Sequence, residues 1–152
     1  MSQVVSLVGN DTLQINDRVL LDLADGDVGA LTFPNDIMGV KTGKNGNSLY
    51  AFNASGLMCE LILRIIRGSD DDKYLNTLLL AMIADVPSFI LMTSKIVKRV
   101  GDGQGDITND TYALSGGVFT KQVETKSNVE GDTEQSLSIY HFKFTNSPRA
   151  IL

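Results

Sequence analysis

The stretch LMCELILRIIR, at positions 57–67, alternates between two faces as a half-buried β-strand does. The odd positions from 57 to 65 are all apolar: Leu57, Cys59, Leu61, Leu63 and Ile65. The even positions place Glu60 and Arg64 among apolar neighbours. The pattern therefore predicts a strand with one face in a hydrophobic core and a mixed face on the other side.

The residues before this stretch also favour extended structure. Residues 3–8, 12–15 and 28–33 are short apolar-rich segments separated by turn formers. Between 12–15 and the apolar residues that follow, Asn16-Asp17 has the composition of a tight hairpin turn. The N-terminal part is thus predicted to be β, with residues 1–11 forming an arm.

A change of periodicity after residue 67 predicts one helix. Ser69 precedes three aspartates, which suits an N-cap followed by acidic residues in the first helical turn. Apolar residues then recur at helical spacing: Leu75, Leu78, Leu79, Met82 and Ile83. Pro87 ends the pattern, so the helix is expected at about residues 70–85.

Strand patterns return after Pro87. Residues 88–100, 111–125 and 135–145 read as strands, and the last places Tyr140, Phe142 and Phe144 on one face. Residues 101–110 and 146–152 read as loops. The predicted fold is mainly β: a β-sandwich or barrel of about six or seven strands with one flanking helix, in a single domain spanning 1–152.

Composition excludes several classes of function. The chain has 152 residues with 43% hydrophobic and 20% charged residues, which is ordinary for a globular domain. Its apolar runs are shorter than the roughly 20 residues of a membrane-spanning helix. The net charge of −5 disfavours tight nucleic-acid binding, because such binding depends on Lys and Arg neutralising phosphates.

Residues capable of chemistry are few, and each has a structural explanation. Cys59 is the sole cysteine and falls in the apolar alternation, where a buried role is expected. His141 is the sole histidine and is expected to face solvent, opposite Tyr140 and Phe142. The aspartates at 70–72 suit helix capping. We therefore predict no catalytic, cofactor-binding or metal-binding residues and no enzymatic activity.

Residues 40–56 are unusual for a compact domain. They contain many Gly and Asn residues around one apolar group, Leu49, Tyr50, Ala51 and Phe52. Such a composition predicts a long loop with an adhesive tip, beyond what a domain of this size needs. Leu49, Tyr50 and Phe52 are the candidates for contacts with another subunit.

Four segments of the chain together resemble the tail tube proteins of contractile-tailed bacteriophages. They are LADGDVGALTFPND (23–36), VKTGKNGNSLYAFNASG (40–56), RGSDDDKYLN (67–76) and DTYALSGGVFTKQVETKSNVEGDTEQ (110–135). The resemblance extends from about residue 12 to residue 151 and rests on the whole pattern rather than on one motif. It also implies kinship with the tube proteins of type VI secretion systems.

The resemblance implies a virion protein assembled in the host cytoplasm. Hexameric rings stack into a hollow tube through which viral DNA passes during ejection without specific binding, and the expected partners are the sheath, tape-measure and baseplate proteins. The arm (1–11) and the loop (40–56) are then expected to join rings, whereas Glu60 and Arg64 are candidates for charges facing the channel. Because acidic residues outnumber basic ones by 18 to 13, a net negative channel wall is expected. The alternatives are a tube subunit of a contractile bacteriocin or type VI system, and a small ligand-binding β domain.

Overall fold

The computed structural model describes residues 7–8, 12–23, 29–126 and 137–152. The described strands are β1 (Leu7–Val8), β2 (Thr12–Ile15), β3 (Arg18–Val19), β4 (Gly29–Thr32), β5 (Met38–Thr42), β6 (Ser48–Phe52), β7 (Cys59–Ile66), β8 (Met92–Gly101), β9 (Ile107–Phe119), β10 (Glu124–Lys126), β11 (Leu137–Phe144) and β12 (Arg149–Ile151). One α-helix, α1 (Asp70–Ala84), lies between β7 and β8. The predicted mainly β fold with one flanking helix is confirmed.

Ten of these described strands form one large antiparallel sheet, and seven of the ten follow the order β3-β2-β8-β9-β11-β7-β4. β1 pairs with β8, β12 with β9 and β10 with β11. The long strand β9 joins the half of the sheet that contains β8 to the half that contains β11. It pairs with β8 along most of its length and with β11 at Val118 and Phe119. The residue at this change of partner is Gly117. A glycine is needed there because a β-carbon would collide with the ring of Phe144. The two halves enclose a shared core, as in a sandwich.

The core follows the alternation seen in the sequence. Cys59, Leu61, Leu63 and Ile65 of β7 are all buried, and Tyr140, Phe142 and Phe144 of β11 pack beside them. Phe119 lies against Phe142, with ring centroids 4.8 Å apart. Burial raises the pKa of the Cys59 thiol. The expected buried role of Cys59 and the shared face of the three aromatic residues are therefore confirmed.

The helix begins and ends close to its predicted bounds. The Ser69 side chain accepts a hydrogen bond from the backbone N–H of Asp72 at 3.3 Å and caps the first turn. Leu75 and Leu79 face the core and are buried. Ile83, expected on the same face, is 56% exposed.

Several boundaries differ from the sequence expectations. The segment 146–152 is not a loop throughout, since β12 pairs with β9 and Asn109 exchanges two backbone hydrogen bonds with Leu152. The predicted loop 101–110 is also shorter, because β8 and β9 extend to Gly101 and Ile107. Main-chain pairing formed these strands although their side chains are polar or exposed. The Asn16-Asp17 turn is confirmed, with Asn16 at a φ of 52°.

Of the predicted N-terminal arm, Leu7 and Val8 pair with β8, and its other residues lie outside the described part of the chain. The acidic residues at 22–27 and 124–134 are further candidates for channel charges, and most of them also lie outside the described part of the chain. The structure therefore does not test the arm as a contact between rings.

Candidate assembly interface

The predicted long loop 40–56 is wrong as a loop: most of it is a β-hairpin. Strands β5 and β6 pair from Met38 with Phe52 to Thr42 with Ser48. The turn between them is closed by the N–H of Gly43, which donates to the Asn47 carbonyl at 2.8 Å, and Gly46 adopts a φ of 81°. The Gly and Asn residues that predicted a loop supply this tight turn instead.

The hairpin is a separate two-stranded sheet whose residues are all exposed. Such a hairpin is marginally stable on its own in water. Its base is held firmly: Asn53 N–H donates to the Ile37 carbonyl at 2.6 Å, and a β-carbon at Gly56 would collide with the backbone of Asp36 and Ile37. The hairpin is thus packed against the preceding residues at its base, and the residues of both its strands are exposed.

The register divides the hairpin into two unlike faces. Residues directly opposite each other share a face, so Met38, Val40, Tyr50 and Phe52 form what we call the apolar hairpin face. The other face carries Gly39, Ala51, Lys41 and Leu49. The three candidate contact residues therefore separate: Tyr50 and Phe52 lie together, 67% and 64% exposed, whereas Leu49 points the opposite way.

The two candidate channel charges, Glu60 and Arg64, do share one face of β7, opposite the core. Lys143 lies opposite Glu60 on β11, and its Nζ is 3.4 Å from Glu60 Oε1. Arg64 and Glu124 both lie opposite Ile139, on β7 and β10. Among the described residues, acidic and basic side chains are thus interleaved on this face.

His141 is less exposed than expected. Its side chain does point away from Tyr140 and Phe142, but it is half-buried on the face that carries Glu60. Its Nε2 lies 3.5 Å from Glu124 Oε1 and makes no hydrogen bond within the described residues. The expectation of a solvated histidine is wrong, because the His141 side chain is only 15% exposed.

Two of the three helix-start aspartates do more than cap α1. Asp71 is buried and accepts hydrogen bonds from Arg18 Nε at 2.9 Å and from the N–H groups of Leu21 and Asp22 at 2.6 and 2.7 Å. Burial alone would raise the pKa of Asp71, but these donors and the Arg18 charge lower it overall. Asp71 therefore ties the chain after β3 to the helix.

Asp72 ties the helix to β11. Its carboxylate accepts hydrogen bonds from the Tyr140 hydroxyl, from Ser138 Oγ at 3.0 Å and from the Gly68 N–H at 2.8 Å. Burial and this carboxylate raise the pKa of Tyr140. In the sequence, helix capping is a sufficient explanation for the three aspartates. No sequence pattern indicates that Asp71 is buried or that Asp72 accepts hydrogen bonds from β11.

A second exposed apolar region surrounds the end of α1. Leu80, Ile83, Val86, Ile90 and Leu91 are all more than half exposed, and Ile90 reaches 86%. Ile90 and Leu91 were expected inside a strand, but Val86–Ser88 forms a short 3₁₀ turn and β8 begins only at Met92. We call these five residues the helix-end patch. A groove of about 370 Å³ beside it is lined by Leu78, Ala81, Ser88, Phe89, Ile90 and Asn16.

Sites of other kinds were sought in the same described ranges. There, no cluster of three or more His, Cys, Asp or Glu side chains is placed to hold a metal ion. No helix in this part of the chain is long and apolar enough to cross a membrane.

The sequence matches no family model and no curated protein. Solved structures nevertheless share the fold. A chain of the sheath–tube complex of an extracellular contractile injection system (PVC, extended state) has a TM-score of 0.64 at 8% identity, over 93% of this chain and 88% of that one. A chain of the anti-feeding prophage cap, which terminates the tube of that prophage, has a TM-score of 0.57 at 9% identity, over 93% of this chain and 88% of that one.

A chain of the anti-feeding prophage baseplate, in a six-fold symmetrised structure, has a TM-score of 0.50 at 9% identity, over 92% of this chain and 90% of that one. At these identities the likeness establishes the fold alone. It confirms the fold expected from the resemblance to contractile tail tube proteins.

Proposed function

We propose that this chain is a non-enzymatic structural subunit of a contractile tail tube, in which hexameric rings stack into a channel for viral DNA. The observation that carries the proposal is the shared fold over 93% of the chain with a chain from a sheath–tube complex. In this proposal the chain resides in the virion tail, and its partners are further copies of itself, the sheath, the tape-measure protein and the baseplate.

Two features of the surface support self-assembly. The apolar hairpin face leaves Val40, Tyr50 and Phe52 more than half exposed on an anchored projection. A monomeric soluble protein rarely presents such a concentrated apolar surface without a partner. The edge strands β3 and β4 also leave backbone groups available for pairing with a neighbouring subunit.

A tube subunit of a contractile injection system that is not a virion tail is the second candidate. The specific observation in its favour is that the similar structures come from an extracellular contractile injection system and an anti-feeding prophage. Purified native particles distinguish the two functions, since a virion contains encapsidated DNA and an injection particle does not.

The hairpin provides a direct test of the assembly proposal. The double variant Tyr50→Ser and Phe52→Ser removes two exposed aromatic rings, each worth about 1.5–3 kcal/mol when buried. We expect the concentration needed for tube formation, measured by sedimentation, to rise by at least about tenfold. Leu49→Ser, on the opposite hairpin face, is the matched control and should have a much smaller effect. Equal assembly of the native protein, the double variant and Leu49→Ser would contradict a role for the apolar hairpin face in assembly.

A further inference from the structure

Two apolar surfaces are exposed in the part of the chain that the structure describes. The apolar hairpin face is one, and the helix-end patch with its groove is the other. Tyr50 is 67% exposed and Ile90 is 86% exposed, so neither surface is buried against the other within one copy. An aromatic side chain is the kind of anchor that fills such a groove at a protein interface.

The charged residues within the two segments that carry these surfaces are of opposite sign. In residues 37–58, which contain the hairpin, the charged side chains are Lys41 and Lys44. In residues 77–91, which contain the helix-end patch, the charged side chain is Asp85. The C-terminal end of α1 also has no basic residue in its last turn, so its partial negative charge has no cation from its own helix.

These charges favour one mode of contact over the alternatives. Two hairpins meeting through their apolar faces with their turns aligned would bring their Lys44 side chains together, and two helix-end patches would bring together Asp85 side chains and helix C-termini. A hairpin on a helix-end patch pairs opposite charges instead. Such a head-to-tail contact uses two different surfaces and can therefore propagate through rings or along a filament.

We propose that the apolar hairpin face of one copy docks into the groove beside the helix-end patch of a second copy, with Lys44 near Asp85 and the end of α1. The inference rests on the proposed self-assembly and names the two surfaces that meet. Tyr50 and Phe52 are the anchors, and Leu78, Ala81 and Phe89 line the receiving groove.

Crosslinking between two singly substituted chains tests the contact. Ser48 lies on the same hairpin face as Tyr50, and Ser88 lines the groove, so Ser48→Cys and Ser88→Cys are conservative probes at the two surfaces. The native Cys59 is fully buried. After mixing and assembly, a short bis-maleimide reagent should join the two chains. The control mixture replaces Ser88→Cys with Thr12→Cys, at an exposed position on β2, and should give little product.

A charge exchange provides the second test. Asp85→Lys and Lys44→Glu should each raise the concentration for assembly by about tenfold, because each places like charges together. The double variant carrying both changes should recover most of the loss, since the opposite pairing is restored with its sign reversed.

The outcomes separate this inference from the proposed function. Efficient Ser48–Ser88 crosslinking together with charge rescue supports the docking contact. If tubes form but the Ser88 probe stays unlinked and reactive, the groove is open to another partner, such as a sheath protein, and the docking contact is wrong while the tube function stands. If the chain does not self-associate, both are wrong.

Discussion

The carboxylate of Asp71 and the guanidinium of Arg18 form an ion pair with Nε and Oδ1 2.9 Å apart, although the residues are 53 positions apart in sequence. Asp71 is 1% exposed, and it also accepts two backbone hydrogen bonds from Leu21 and Asp22. Arg18 in turn lies over the ring of Tyr74, 5.0 Å from its centroid. The first turn of α1 thus fixes the segment that leaves the β2–β3 hairpin.

Replacing Asp71 by alanine should destabilise the fold strongly. The change leaves the Leu21 and Asp22 N–H groups and the Arg18 guanidinium without their acceptor, and such a loss costs about 3 kcal/mol. Urea denaturation monitored by circular dichroism measures the free energy of unfolding. Asp70→Ala is the matched control, because Asp70 is exposed and its contribution to the helix dipole is about 0.3–1 kcal/mol. Equal losses in the two variants would show that the Asp71 contacts contribute little.

The same residue should make stability depend on acid. The pKa of Asp71 is lowered in the folded protein from its usual value of 3.8, so folding favours the ionised form. The stabilisation is therefore fully present above the unfolded-state pKa and is lost as pH falls through the folded-state pKa. The difference in unfolding free energy between the native protein and Asp71→Asn should shrink as pH is lowered from about 6 to about 2.5. A difference that stays constant over this range would contradict a lowered pKa.

Alternation predicted the parts of the fold in which packing decides the structure. The buried residues of β7 and β11 were identifiable because apolar side chains at every second position of a strand lie on the same face, and that face packs in the core. The start of α1 was identifiable for a similar local reason, since Ser69 and the following acids satisfy the helix terminus.

The parts that sequence missed depend on contacts between distant segments. β12 exists because its backbone pairs with β9, and the Arg149 side chain adds an ion pair with Asp110 of β9, a residue 39 positions away in sequence. The β5–β6 hairpin has strands of five residues each. Its strands were not predicted because the many Gly and Asn residues around them indicate a loop. At the candidate interface, Tyr50 and Phe52 were identified from composition. Leu49 could be assigned to the opposite face only from the observed register.

The interleaved charges around Glu60 yield a prediction about DNA. If this face lines the channel, assembled tubes should not retain duplex DNA at about 50 mM salt, because few phosphates can be neutralised at once. The double variant Glu60→Lys and Glu124→Lys makes the face basic and should cause retention that weakens as salt is added. Asp36→Lys, at an exposed position outside the large sheet, is the control and should retain none. Unchanged behaviour of the double variant would mean that another face lines the channel.

Electron microscopy of the purified full-length chain tests the central claim most directly. If the chain is a tube subunit, negative-stain images over a range of rising protein concentration should show rings of uniform diameter and stacked tubes with a stain-filled channel. We expect this result because the apolar hairpin face and the helix-end patch are both exposed in a single copy, and the proposed head-to-tail contact between them can continue from copy to copy. Single monomeric particles at every concentration, with sedimentation velocity giving one monomer species, would contradict the account.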